Sequence, residues 1–396
     1  MTGTDLRARA RKLGANALLL FASAGLTCLA LEGALRLLAP QPLGLRFYTR
    51  EGILLHYPGA RIRYVRADFQ TTVTINSDGL RDREYPPGKP PGVYRILVLG
   101  DSFTEGLQVD DGLVWPKVAE RILGEDKRRR GPRVELVNAG FAGAGTADQI
   151  RYLEAFGRRW DPDLVLLAFY CGNDVRDNLA ERGLEIGNGT VSIPRRRPAG
   201  PVSYRLRTAR SWLGSHSHLY QFVRDRLAPA RTREVAGGPS GLRNEGLQEE
   251  RSWQEFDDKR VLYSPVPEDV ARGWEITRHL LDRAERDSLA LGARFALVAL
   301  PGRRMVDESL IREKLRFKVQ EGFELDPALP GRQLQDWASG RGVPFKDLYP
   351  EFRARKADAT FHYRNDAHWN ARGHQAAAEV IAAFLAESAL APAPGA

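Results

Sequence analysis

The longest apolar stretch of the chain comes first. Leu13–Leu31 holds 19 residues without a charge, preceded by Arg7, Arg9, Arg11 and Lys12. As a helix it is about 28 Å long, enough to cross a hydrocarbon core. Basic residues ahead of it favour an N-inside orientation. The pattern therefore predicts a cytoplasmic tail over 1–12, a transmembrane anchor over 13–38, and a body on the extracytoplasmic side (the periplasm, if the source is a Gram-negative bacterium). Two alternatives stay open. Ala22-Ser23-Ala24 is an A-x-A site of the kind that follows a signal peptide, although the apolar run continues to Leu38, broken only by Glu32 and Arg36. The third reading is a helix buried in a soluble body. A lipoprotein anchor on Cys28 is poorly supported by Gly25-Leu26-Thr27.

Pro40 and Pro42 end this helix, because proline cannot continue it. Alternation at Ile62 and Tyr64 and over Thr72–Ile75 then predicts short strands. With a turn at Asn76-Ser77-Asp78-Gly79, residues 39–92 read as a β-rich lead-in. Asn76–Arg83 is expected as a hairpin or loop against the main domain, and the proline-rich 86–92 as a stiff linker. From Val93 the pattern changes to short, continuous apolar runs, the signature of strands buried on both faces of a parallel sheet. They are Ile96–Leu99, Val134–Val137, Asp163–Phe169 and Arg294–Leu300, apolar but for Glu135, Asp163 and Arg294, with Val343–Leu348 as a shorter, edge-like strand. Helical spacing marks Val114–Leu123, Asp269–Leu291, a helix end at Gln333–Gly340 and a final helix running to Ala386. The alternation predicts an α/β domain over 93–391 with about five parallel strands and helices on both faces. Residues 180–260 lose this periodicity apart from a possible helix over Tyr204–Leu227. An insertion of that length is either a lid over a cleft or a surface excursion.

Composition removes several function classes. A net charge of +9 over 396 residues raises nucleic acid as a partner. No zinc-finger spacing, RNP-like motif or basic helix accompanies it, and the densest basic runs, Lys127–Arg130 and Arg195–Arg197, fall between periodic segments. A solvated basic surface and no nucleic-acid partner are expected. The two cysteines, Cys28 and Cys171, give neither a disulfide framework nor a metal cluster. His216-x-His218 has no third ligand nearby. No metal and no cofactor are expected; protein partners are not legible.

The chemistry collects where strands end. Ile96–Leu99 runs into Gly100-Asp101-Ser102, which suits a sharp turn and an N-cap. That places Ser102 at the carboxyl end of a strand and the positive end of a helix, where open α/β sheets bind ligands. The second strand delivers a glycine-rich loop from Asn138 to Thr146, which lacks the ending of a phosphate loop. The third ends at Tyr170-Cys171-Gly172-Asn173-Asp174, and Asn365-Asp366-Ala367-His368-Trp369 precedes the last helix. A serine nucleophile needs a base, which His368 supplies. The imidazole needs a carboxylate to fix its tautomer, which Asp366 supplies. An oxyanion needs preorganised donors, for which the candidates are the Ser102 N–H, the Gly143 N–H and the Asn173 side chain. Bland readings stand beside these: Gly100-Asp101-Ser102 as a capped turn, Gly140 or Gly145 nearer the oxyanion than Gly143, Asn173 as a turn residue. His362 and His374 read as loop and helix-surface residues, Trp369 as packing, Cys171 as a buried strand end.

Taken in order, these blocks resemble the SGNH (GDSL-like) hydrolase superfamily: Gly100-Asp101-Ser102-Phe103 first, Asn138 to Gly143 second, Gly172-Asn173-Asp174 third, Asp366 and His368 last. The resemblance implies a three-layer α/β/α domain and an ester hydrolase with Ser102, Asp366 and His368 as catalytic residues and Ser102, Gly143 and Asn173 as the oxyanion hole. One departure is informative. The family usually spaces its last pair Asp-x-x-His, whereas Asp-x-His-Trp here is similar to SGNH-like proteins that acetylate exported polysaccharides such as alginate. The expected substrate is an acylated (foremost acetylated) envelope glycan or lipid; an O-acyltransferase and a non-catalytic polysaccharide-binding component are the alternatives. The α/β-hydrolase fold is disfavoured, since its Gly-x-Ser-x-Gly elbow meets Thr104 here.

Overall fold

The computed structural model describes residues 3–41, 43, 46–125, 131–181, 183–187, 189–194, 200–227, 258–307, 321–356 and 360–392. Both dense basic runs and residues 228–257 of the expected insertion lie outside them. The chain divides into two compact units, Met1–Arg46 with Pro201–Gln248, and Phe47–Gly200 with Glu249–Ala396.

In the first unit, α1 (Gly3–Leu38) is one unbroken helix. Its segment Arg11–Leu38 is long and apolar enough to cross a membrane. The helix expected over Tyr204–Leu227 is two helices, α6 (Pro201–His216) and α7 (His218–Leu227). Ser217 breaks it, because its Oγ accepts from Tyr220 N at 3.0 Å and starts a new helix. Glu32 completes that cap, accepting from Ser217 Oγ at 2.8 Å, His218 N at 3.0 Å and Leu219 N at 2.8 Å.

The second unit begins within β1 (Arg46–Tyr48), at Phe47, and continues with β2 (Leu54–His56) and the antiparallel hairpin β3 (Arg61–Val65) and β4 (Gln70–Thr74). Then come β5 (Val93–Gly100), the single turn α2 (Ser102–Glu105), α3 (Trp115–Glu125), β6 (Arg133–Gly140), α4 (Thr146–Trp160), β7 (Leu164–Tyr170) and α5 (Asp174–Ala180). An antiparallel pair, β8 (Glu185–Gly187) with β9 (Thr190–Ser192), lies near the start of the 180–260 excursion. After it follow β10 (Tyr263–Ser264), α8 (Glu268–Ala290), β11 (Arg294–Leu300), α9 (Arg303–Val306), β12 (Glu324–Leu325), α10 (Leu329–Arg341), β13 (Phe345–Asp347), α11 (Tyr349–Ala354) and α12 (Ala371–Glu387).

Five of these strands form one parallel sheet in the order β13-β11-β7-β5-β6. The strands read as continuous apolar runs because both faces are covered. Ile96 and Val98 of β5 face the side packed by Trp115 and Val118 of α3 and Ile381 and Leu385 of α12. Leu97 and Leu99 face the side packed by Ile150 and Leu153 of α4 and Trp274 and Leu281 of α8. This is a three-layer α/β/α domain. Residues 47–92 bury Ile53, Leu55, Leu80 and Tyr85 in the same core as Leu97 and Leu99, and Asp82 accepts from Asn138 N at 2.7 Å. The strand order reverses between β5 and β7, which opens a crevice at their carboxyl ends, the switch point where doubly wound sheets bind ligands.

Candidate active site

Ser102 stands at that switch point. Asp101 caps α2 by accepting from Phe103 N at 2.9 Å, and Gly106 (φ +69°) closes the turn in the left-handed region. The buried Arg81 guanidinium donates to the carbonyl oxygens of Glu105, Gly106 and Val109. The turn lies directly on two strand ends. A Cβ on Gly100 would sit 2.1 Å from Thr104 Oγ1, and one on Gly140 would sit 2.5 Å from Glu105 N. These glycines, paired across β5 and β6, let the serine-bearing turn seat against the sheet.

His368 reaches Ser102 from the far end of the chain. Its Nε2 is 2.8 Å from Ser102 Oγ, and its Nδ1 is 2.6 Å from Asp366 Oδ1, which also accepts from His368 N at 2.8 Å. Both N–H groups converge on one carboxylate oxygen, which favours the tautomer with Nδ1 protonated and Nε2 free to accept the serine proton. Burial pushes the Asp366 carboxyl up, but the imidazole of His368, its two hydrogen bonds and the charge of Arg66 outweigh that and hold it below the usual carboxylate range. Phe103 lies 4.9 Å from the imidazole and stacks on Tyr170 at 3.9 Å, so the ring rests on an aromatic floor.

The loop carrying this pair is held from both sides. Asn370 caps α12, its Oδ1 accepting from Arg372 N and Gly373 N at 2.9 and 3.1 Å. The turn of the β3–β4 hairpin grips the other side. There Asp68 accepts from Asn365 N at 2.5 Å and Asn365 Nδ2 at 2.7 Å, and Phe69 packs on Tyr363 at 4.9 Å. The lead-in thus shapes the site, through residues no sequence motif marked.

The three oxyanion candidates follow β5, β6 and β7 respectively. Gly143 has φ +76°, is exposed, and a Cβ built on it would meet nothing within 4 Å. Gly140 is wedged under α2, and a Cβ on Gly145 would lie 3.2 Å from the Asp177 side chain. Of these glycines, only Gly143 borders open space. Asn173 is the N-cap residue of α5 and 7% exposed. Behind it Asp174 accepts from Tyr170 N at 2.9 Å; burial, then the charge of Asp101, pushes its carboxyl well up.

Trp369 is fully buried, edge-on to Phe103 at 5.2 Å and stacked with Phe352 at 5.1 Å, which makes it a packing residue. Cys171 is buried, and burial pushes its thiol up. His362 sits on the loop, its backbone bridged to Trp369. His374 corrects the expectation of a helix-surface residue. It is 1% exposed, and its Nδ1 accepts from Trp115 N at 3.3 Å. It occupies the buried face of α12 because that helix crosses α3. Burial, helped by the charges of Arg81 and His368, lowers its pKa to about 3.

That shift has a measurable consequence. The unfolded imidazole takes up a proton near pH 6.5, the folded one only near 3, so between these values the unfolded state binds more protons and stability falls as pH falls. Relative to a His374→Asn variant, the wild type should lose about 1.4 kcal/mol per pH unit below about 6.5. Denaturant melts of the two proteins at a series of pH values read this directly; parallel curves would contradict it.

Sequence reasoning passed over Arg81, Asp68, His56 and Glu105, and quoted Phe103 only as part of the first block. Only Glu105 left a signal, as a carboxylate on a short turn between Gly100 and Gly106 that has no route to solvent.

Comparison with known proteins gives a match over the last third of the chain. Residues 265–395, which include Asp366 and His368 but not Ser102, match the family model described as SGNH hydrolase-like domain, acetyltransferase AlgX. Among solved structures, a lipase/acylhydrolase from Enterococcus faecalis is 13% identical, with 74% of this chain and 95% of that one covered at a TM-score of 0.37. The acetyl xylan esterase AlAXEase is 13% identical, with 75% and 100% covered at 0.36. A two-domain esterase active on acetylated mannans is 14% identical, with 76% and 51% covered at 0.37. No curated protein matches the chain.

Proposed function

We propose that this chain carries an SGNH hydrolase-like domain, a reading supported by the match over 265–395 and by the five-stranded parallel sheet, and that it is a serine acyl-transfer enzyme acting on an acylated, foremost acetylated, envelope glycan or lipid. The observation that carries this reading is the hydrogen-bonded chain from Asp366 through His368 to Ser102, at 2.6 and 2.8 Å, at the sheet's switch point.

In the proposed mechanism Ser102 Oγ attacks the ester carbonyl while His368 Nε2 takes its proton. Asp366 stabilises the imidazolium so formed. The N–H groups of Ser102 and Gly143 and the Asn173 side chain stabilise the tetrahedral oxyanion. His368 then protonates the leaving alcohol, which leaves an acyl group on Ser102 for the acceptor. Water as acceptor makes the protein an esterase. A sugar hydroxyl makes it an O-acyltransferase, a second reading favoured by the Asp-x-His-Trp spacing and by the family model over 265–395. We place α1 in the membrane as an anchor and the acyl-transfer domain on the extracytoplasmic side.

The deciding experiment incubates the full chain in detergent with an aryl acetate, with and without acceptor oligosaccharides. Ser102-dependent acetate release alone assigns hydrolysis, and acetylated sugar assigns transfer. Neither product, from a folded protein, overturns the reading.

A further inference from the structure

A second buried histidine–carboxylate pair lies beside the first and has no part in the proton path. His56, at the end of β2, donates from Nε2 to Glu105 Oε1 at 2.5 Å, with side chains only 3% and 0% exposed. His56 Nδ1 is buried and without a hydrogen-bond partner among the described residues, so the imidazole directs its one hydrogen bond to Glu105. That residue ends the α2 turn, three positions after Ser102. Its second oxygen, Oε2, accepts from Ala142 N at 3.1 Å.

Ala142 is where this contact becomes consequential. Phe141–Ala144 is a tight turn closed by Ala144 N donating to Phe141 O at 3.2 Å, with Gly143 at φ +76° in its third position. A turn with positive φ there has the type II form, which favours glycine. The peptide between Ala142 and Gly143 carries the Gly143 N–H, so where this turn sits sets where that N–H points. Displacing the turn would carry that N–H away from an oxyanion. The neighbouring peptide N–H, on Ala142, is tied to a buried carboxylate that cannot turn to solvent and is itself held by His56.

We propose that His56 and Glu105 are positioning residues that hold the Gly143 N–H in the orientation the oxyanion requires. The inference rests on the acyl-transfer reading above. Glu105 belongs to the turn that carries Ser102, so one carboxylate ties the nucleophile's turn to the oxyanion loop and fixes their spacing. His56 brings the lead-in into that linkage.

The test compares Glu105→Ala, Glu105→Gln and His56→Phe in the full chain. Glu105→Ala should lower kcat by about 10- to 100-fold, the scale of a misplaced catalytic group, with KM changed by no more than about twofold, the split expected of an interaction made only in the transition state. Glu105→Gln retains an oxygen for the Ala142 N–H and should keep most of the rate; His56→Phe should fall between. Glu105→Ala and Gly143→Ala both act by displacing the same turn, so the double variant should be scarcely slower than Gly143→Ala alone. Hydrogen exchange of the peptide spanning residues 137–147 should quicken in Glu105→Ala and stay near wild type in Glu105→Gln.

A folded Glu105→Ala protein with wild-type kcat, or losses that multiply in the double variant, would overturn the proposal. If Glu105→Ala does not fold, Glu105→Asp, which withdraws the carboxylate by one methylene, should show the same kcat loss. If the wild type shows no Ser102-dependent turnover, the acyl-transfer reading fails on its own account. Exchange then decides the pinning, and unchanged exchange of the loop in Glu105→Ala would refute it.

Discussion

Replacing Ser102 with alanine is expected to lower aryl-acetate turnover by about 10⁵–10⁶-fold, the scale seen when the nucleophile of a serine triad is removed. The substitution takes away one hydroxyl and little else. Ser102 is 6% exposed on a turn whose cap, Asp101, and closing contacts, Gly106 and Arg81, do not involve its side chain, so the fold and substrate affinity should be kept. Cys171 offers no substitute nucleophile, since burial raises its pKa and holds it as a thiol. A residual rate above water from the oxyanion donors and substrate binding is expected. Steady-state kinetics beside a thermal melt check both halves. Unchanged turnover would remove Ser102 from the mechanism.

Substitution of Asp366 separates orientation from charge. Asp366→Ala removes the acceptor of both His368 N–H groups and should cost about 10⁴-fold in kcat. Asp366→Asn presents a milder case, because Oδ1 receives both donors and an amide oxygen in that place still selects the Nδ1-protonated tautomer. What it lacks is the charge opposite the forming imidazolium, so its rate should fall between wild type and Asp366→Ala. Equal losses in the two variants would mean that charge, not tautomer, dominates. The wild-type carboxyl lies below its usual range and stays ionised through mild acid. The acid limb of kcat/KM should therefore follow a single ionisation, that of His368. A second ionisation assigned to Asp366 near or above its ordinary value would contradict the geometry.

What could be read in the sequence was whatever repeats locally or ends a strand. Ile96–Leu99 and Leu164–Phe169 are continuous apolar runs because both faces of the sheet are covered, and that pattern identifies a parallel strand without knowledge of its neighbours. Ser102, Gly143, Asn173, Asp366 and His368 each sit in a short motif just beyond a strand or before a helix, so they were legible as candidates, although Ser102 and His368 meet only in the folded chain. Contacts between distant segments left little trace. His374 follows the helical pattern of α12, but only the crossing with α3 makes it a buried position. Asp68 lies in an unremarkable turn of polar residues, yet it grips Asn365 almost 300 positions away. The helix over Tyr204–Leu227 breaks at Ser217 because Glu32, on α1, completes a cap that the local sequence does not reveal.

The position of the reactive serine can be measured without knowing the natural substrate. A fluorophosphonate probe reacts with a serine whose proton is taken by a nearby base, so mass spectrometry of the labelled, digested full chain reports which hydroxyl is activated. The geometry predicts a single adduct on the peptide containing Ser102, formed far more slowly in a His368→Ala variant. An adduct on another residue, or an unlabelled Ser102 in a protein that turns over aryl acetate, would contradict it.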